Sequence, residues 1–351
     1  MLLKIIENAP LYSARVLPWL SVIGLLFSLS ACSVKPVETE KAQVASSVNL
    51  LTAYDYQLLD NQYQTVSLPA VASQLKDADV IFIGEYHGNH ASHLLQMQLF
   101  ALLHQQREHW QPMALSLEMF ERDQQAVIER YLSSEIGERY LIEQANAWDN
   151  YKASYRPLVE YAKQHDIAVV AANAPADIVR CIGKQGRAYL NVLGSQQRKL
   201  IAQDSFADIT GYQTQFIAKM GGHPMPARAL NNTYLAQLTR DNTMAESINQ
   251  KMALQPDSQI IHLNGSFHSQ DGLGTVAALK RLNPALKLVV ITPVYRTDLM
   301  EKVNNGQGKD TFYYLIQAQP QEFVDADYRK ATYQKMFAKA GEKAKSCENP
   351  N

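Results

Sequence analysis

The chain has 351 residues, 46% hydrophobic and 19% charged, with a formal charge of −1 at neutral pH. That is apolar material enough for one large globular domain or two modest ones. The near-neutral balance, with no basic block in the body of the chain, excludes the electrostatic footprint that nucleic-acid binding requires.

The opening text, MLLKIIENAPLYSARVLPWLSVIGLLFSLSACS, sets Lys4 and Arg15 before an apolar run from Val16 to Ala31. That run falls short of the roughly 20 residues a membrane-spanning helix needs, and it closes on small residues as a signal peptide does. Its last four residues, Leu29-Ser30-Ala31-Cys32, resemble a bacterial lipobox, whose cysteine becomes the lipidated first residue of the mature protein. Residues 1–31 are therefore expected as a lipoprotein signal peptide and Cys32 as the lipidation site. Ser33, rather than an aspartate, follows the cysteine, and by resemblance to lipoprotein sorting patterns this favours the outer membrane, with the body facing the periplasm. Residues 32–49 are polar and small, which reads as a flexible tether. Beyond Cys32 only Cys181 and Cys347 remain; a disulfide and free thiols are both compatible with an oxidising compartment, and the polar tail around Cys347 suits a free thiol at least as well.

The folded body is expected over residues 50–320. Short aliphatic runs at 79–85, 113–120, 167–174, 259–268 and 286–294 read as buried strands. Between them lie helical stripes, Leu95, Leu99, Leu102 and Leu103 in one, Leu158, Val159 and Ala162 in another. Strands alternating with helices predict an α/β fold with a mostly parallel sheet flanked by helices. Residues 194–244 read as a helical insertion near the ligand-binding edge, with a Gly-Gly and proline loop that holds His223 and could cover the cleft. The run TFYYLIQAQ reads as an edge strand. The polar, Lys-rich tail 321–351 reads as a solvated surface helix in preference to a lipid contact.

In parallel sheets ligands bind outside the carboxyl ends of the strands. There the first strand ends Gly84-Glu85-Tyr86-His87 and a later one ends Gly265-Ser266-Phe267-His268. Two Gly-x-x-His endings in a chain with 9 histidines suggest that His87 and His268 converge with Glu85 and Glu118, although two independent solvated turns would read the same way.

At this point the chain resembles the ChaN-like haem-binding lipoproteins, within the superfamily that includes the Tiki proteases, TraB-type proteins and erythromycin esterases. Six blocks match in order: GEYHGNHASHLLQ, LSLEMFERDQQ, WDNYKASYRPLVEYA, VVAANAP, RDNTMAESI and NGSFHSQDGLG, together spanning about residues 70–295. The sequence departs from the family pattern at Gly88-Asn89-His90, where Asp-Asn-Pro is usual, and at Ser92-His93, where two histidines often stand, so no family role is carried onto His90. The match at Glu85, His87, His93, Glu118 and His268 is intact.

The resemblance implies haem as cofactor and a role in iron uptake, with an outer-membrane haem receptor as partner and a haem-linked homodimer as an assembly. Haem iron takes an axial group from the protein. The block around Trp148 supplies Tyr151 and Tyr155, four residues apart and so on one helix face, with Arg156 beside them for a propionate; Tyr151 is the first choice as axial ligand, Tyr155 the second, and His223 a further contact. Packing of the same aromatics into the core is an equal alternative. Glu85, His87, His93, Glu118 and His268 also offer the groups of a divalent-metal or acid/base site, which keeps a metal-dependent peptidase or esterase as the alternative. A third reading gives these polar strand tips only a structural role. No Gly-x-Ser-x-Gly elbow or phosphate-binding glycine loop is present.

Overall fold

The computed structural model describes residues 50–108, 111–220, 226–306 and 308–348. The expectations for residues 1–49, Cys32 included, and for His223 lie outside the described residues.

Seven strands are present: β1 (Tyr56–Asp60), β2 (Val80–Glu85), β3 (Met113–Glu121), β4 (Ala168–Asn173), β5 (Gln259–Gly265), β6 (Leu288–Tyr295) and β7 (Phe312–Ile316). They form one sheet in the order β1-β7-β6-β2-β5-β3-β4. Every pairing is parallel except β1 with β7. Each residue of β2 and of β5 is buried, as strands covered on both faces require. Alternate side chains serve the two faces. Ile81, Ile83, Leu115, Leu117, Ile261 and Leu263 pack under the helices His90–Gln106 and Arg156–Gln164. Val80, Phe82, Ala114 and Ile260 pack under Ala176–Gln185, Ala227–Leu254 and Thr275–Leu282.

All five expected strands occur, within a few residues of their expected ends. One strand escaped the sequence reading: β1 pairs with β7, so the run TFYYLIQAQ is not the sheet edge. Its residues Tyr56–Asp60 are only half-buried at three of five positions, and five residues are too few for periodicity to stand out.

The helical insertion consists of Ser195–Arg198, Tyr212–Lys219 and the 28-residue helix Ala227–Leu254. That long helix packs on β4 and on Ala176–Gln185, and it carries a buried Asp241 towards the strand ends. Cys181 and Cys347 are joined in a disulfide, with Cα atoms 5.3 Å apart, because the tail returns to the helix Ala176–Gln185. This corrects the free-thiol alternative for Cys347.

Candidate functional site

The order of strands decides what meets at the sheet's carboxyl edge. β5 returns late in the chain and inserts between β2 and β3, so Gly265 lies beside Glu85 in register. On the other side, the Gly265 amide donates to Glu118 Oε2 at 2.6 Å. Glu85, Glu118, His87 and His268 thus come from three adjacent strand ends.

The turn after β2 is built locally. Gly88 adopts φ +76°, a left-handed conformation that glycine takes without strain. Asn89 caps the helix His90–Gln106 by accepting from the Ser92 amide at 3.0 Å. The departure from the family pattern at Gly88 and the Asn89 cap therefore make a self-consistent turn, and His90, the other departure, stacks on Tyr54.

Two polar chains run side by side below this turn. In the first, Glu85 accepts from His87 Nδ1 at 2.9 Å, from Tyr155 at 2.5 Å and from Gln96 Nε2 at 2.7 Å. Gln96 also accepts from His93 Nδ1 at 2.9 Å. Burial opposes the charge on Glu85, but the hydrogen bond from His87, with His93 and Tyr155 beside it, outweighs burial and holds the carboxyl below its usual range. Burial likewise opposes charge on His87, and the Glu85 bond with the nearby Glu118 raises its pKa above the ordinary value.

In the second chain, His268 lies between two carboxylates, with Nδ1 2.7 Å from Asp241 and Nε2 3.4 Å from Glu118. Asp241 further accepts from Thr275 and from Tyr212, each at 2.9 Å. Burial disfavours an imidazolium here, yet Glu118 and Asp241 overcome it and push His268 up to about 10. Glu118, opposed by burial and favoured by His268, is held well below the usual carboxylate range.

These contacts correct the expectation of a divalent metal. Among the described residues no group of three or more His, Cys, Asp or Glu side chains is disposed to hold an ion. The physical reason is that a histidine ligand needs a nitrogen lone pair, whereas both nitrogens of His268 face carboxylates, which favour its protonated form. The oxygens of Glu85 and Glu118 are likewise committed to protein donors.

The expected haem face is also placed differently. Tyr151 and Tyr155 are 1% and 2% exposed and belong to the core under the sheet. Burial, and for Tyr155 the Glu85 carboxylate, pushes both phenols far above their usual range. Neither can present a phenolate to a ligand as placed. Arg156 points instead to Glu138, which it pairs through two nitrogens. The alternative of core packing describes these aromatics, because the segment breaks into two short helices, Tyr151–Ser154 and Arg156–Gln164, and turns its rings inward.

Open to solvent at the same edge is a cavity of about 560 Å³ lined by His87, Glu118, Trp148, Asn150, Asn173 and Arg240 among others. The His87 side chain is 49% exposed there, its ring edge-on to Trp148 at 4.9 Å. Its Nε2 makes no hydrogen bond among the described residues, while Nδ1 is fixed by Glu85. Sequence reasoning missed Arg240 and Asp241, although the block RDNTMAESI contains both; their helix position gives no sign of what they face.

The fold and this edge define an open α/β protein with its ligand site at the carboxyl ends of a parallel sheet. The chain belongs to the family described as haem-binding uptake, Tiki superfamily, ChaN, whose sequence profile matches residues 71–279. The chain is similar in structure to the ChaN protein of Campylobacter jejuni with cofacially bound haem, at 17% identity and a TM-score of 0.58, covering 75% of this chain and 98% of that one. A succinoglycan biosynthesis protein is similar at 11% identity and a TM-score of 0.43, covering 81% of this chain and 98% of that one. An erythromycin esterase in its open conformation is similar at 13% identity and a TM-score of 0.39, covering 68% and 77%. No curated protein matches the sequence significantly.

The edge residues fit the haem that the family implies. His87 lines the cavity, and its Nε2 lies over Gly265, whose missing Cβ leaves room for the ring. Trp148 supplies an aromatic flank and Arg240 a cation for a propionate.

Proposed function

We propose that the protein is a lipid-anchored haem-binding protein acting in haem and iron uptake at the bacterial outer membrane. The observation that carries haem binding is His87, half-exposed in the cavity with Nδ1 tied to Glu85 and Nε2 without a hydrogen-bond partner among the described residues. A hydrogen bond to the far ring nitrogen fixes the tautomer and orientation of an iron-binding histidine. His87 therefore replaces Tyr151 as the proposed axial ligand, with Trp148 and Arg240 as flanking contacts. Bound haem would supply a ferric centre; the chain's part is to hold it at the edge and keep His87 aimed. The anchor at Cys32 and the periplasm-facing placement rest on the lipobox-like residues 29–32. Transfer to or from an outer-membrane receptor and a haem-linked homodimer belong to the same proposal. Hemin titration followed by absorption tests the ligand: saturation of a Soret band in the protein, with loss or a spectral shift in His87→Ala, supports it. A Soret band of unchanged shape and midpoint in that variant removes His87 from the role. Sedimentation with and without hemin tests the dimer.

A second reading is hydrolysis of an ester or peptide. The Glu85–His87 pair favours it, since a carboxylate orienting an exposed imidazole is the arrangement of a general base. A general base, like an iron ligand, needs the unprotonated ring, so the raised pKa of His87 weighs on both readings alike. Ester or peptide hydrolysis by the metal-free protein that disappears in Glu85→Gln would establish this reading.

A further inference from the structure

The C-terminal helix Ala326–Ala344 has 19 residues, none of them buried. A helix normally repays its ordering by burying a face; this one buries no residue, although it touches the helix Ala176–Gln185 and the Phe323 ring lies against Tyr328 and Tyr333. Its exposed side chains are not a uniformly polar set. Tyr328, Met336 and Phe337 are 68%, 57% and 72% exposed, and Tyr333 is also exposed. Met336, Phe337 and Tyr333 share one side at helical spacing with Ala340. Beside that row stands another, Lys335, Lys339 and Lys343, at intervals of four. The helix carries five cations against two carboxylates, in a chain whose overall charge is −1.

The helix is tied to the body at its carboxyl end, and the connection leading into it is tied as well. At its carboxyl end the Cys181–Cys347 disulfide, together with a bond from Gln185 Nε2 to the Cys347 carbonyl at 2.6 Å, ties it to the body. At its amino end the chain comes from β7, where Gln317 donates to the Leu50 carbonyl and Gln319 Nε2 to the His87 carbonyl at 3.2 Å. Leu50 therefore lies beside the strand end that leads to this helix, and Gln319 in the same connection touches the site. Exposed Leu51 and Tyr54 add apolar side chains at the same end.

We infer that the helix Ala326–Ala344 docks on an anionic phospholipid surface, with Tyr333, Met336 and Phe337 entering the interface and Lys335, Lys339 and Lys343 meeting the headgroups. A basic row next to an aromatic and aliphatic row is the composition that lies in a membrane interface, and clustered lysines near an anionic leaflet are attracted within a Debye length. No helix among the described residues is long and apolar enough to cross a membrane, so the contact is peripheral. The inference goes beyond the haem reading and does not need lipid on Cys32.

The test is flotation of the full chain carrying Cys32→Ser, so that acylation does not enter, with vesicles of phosphatidylcholine alone or with about one-third phosphatidylglycerol. The expected result is at least about tenfold more protein on the anionic vesicles, falling with salt and lost in Lys335→Glu/Lys339→Glu/Lys343→Glu. Phe337→Ser should weaken binding while leaving the melting temperature unchanged. Equal partition to both vesicle types, or undiminished anionic binding by the charge-reversed variant, overturns the inference. Self-association without vesicle preference, abolished by Phe337→Ser, also overturns it by making this face a contact between copies.

Discussion

His87 stands directly over Gly265: a β carbon at position 265 would lie 2.8 Å from His87 Nε2 and 3.0 Å from its Cε1. The glycine of the second Gly-x-x-His ending thus makes room for the histidine of the first. Gly265→Ala should turn the half-exposed His87 ring out into the cavity and leave the sheet intact. The expected outcome is hemin affinity lowered about tenfold, equivalent to about 1.4 kcal/mol, with thermal unfolding little changed. Wild-type affinity in this variant would show that the ring position is immaterial.

Tyr155 separates the two ligand assignments. Tyr155→Phe removes a donor to buried Glu85 and should cost about 1–3 kcal/mol of stability in urea unfolding. If His87 holds the iron, the Soret position stays where it is. A lost ferric band in a folded Tyr155→Phe protein would return the role to the tyrosine.

The pH dependence of haem binding follows from the raised pKa of His87. Iron needs the Nε2 lone pair, so a proton on the ring competes with it. Affinity should fall as pH is lowered through a midpoint above the ordinary histidine value, and Glu85→Gln should move that midpoint down, because the partner that raises it is gone. Hemin titrations across pH 5–9 on both proteins check the direction.

The buried Asp241–His268–Glu118 chain makes a prediction about stability. His268 is raised in the folded state to about 10, so its contribution is fully present below its unfolded pKa and is lost as pH rises towards 10. Glu118 is depressed, so its contribution is present above the unfolded carboxylate value and is lost as pH falls towards its folded pKa. Stability from this pair should therefore be greatest between the two unfolded values and decline on either side. Asp241→Asn leaves the imidazolium with one carboxylate and should cost about 3–5 kcal/mol, flattening the alkaline decline. Urea unfolding against pH, with NMR of the His268 ring, reads both effects.

The alternation of strands and helices, the parallel sheet and the importance of two Gly-x-x-His endings were legible in the chain alone. Those features are local: apolar stretches such as 80–83 and 260–263, the latter broken only by His262, reflect that both faces of β2 and β5 are covered. The sequence also made Glu85, Glu118, His87 and His268 candidates together, since each stands at or just beyond the carboxyl end of a strand. What only the tertiary structure decided was which groups those residues spend their hydrogen bonds on. Asp241 reaches His268 from a helix 27 positions earlier in the chain, and that bond turns an expected metal ligand into an imidazolium. Tyr151 and Tyr155 share a helical spacing that suits a ligand face and a core face equally, and burial under the sheet settled it in favour of the core. Spacing fixes which side chains point the same way; only the packing of distant segments fixes what they meet there.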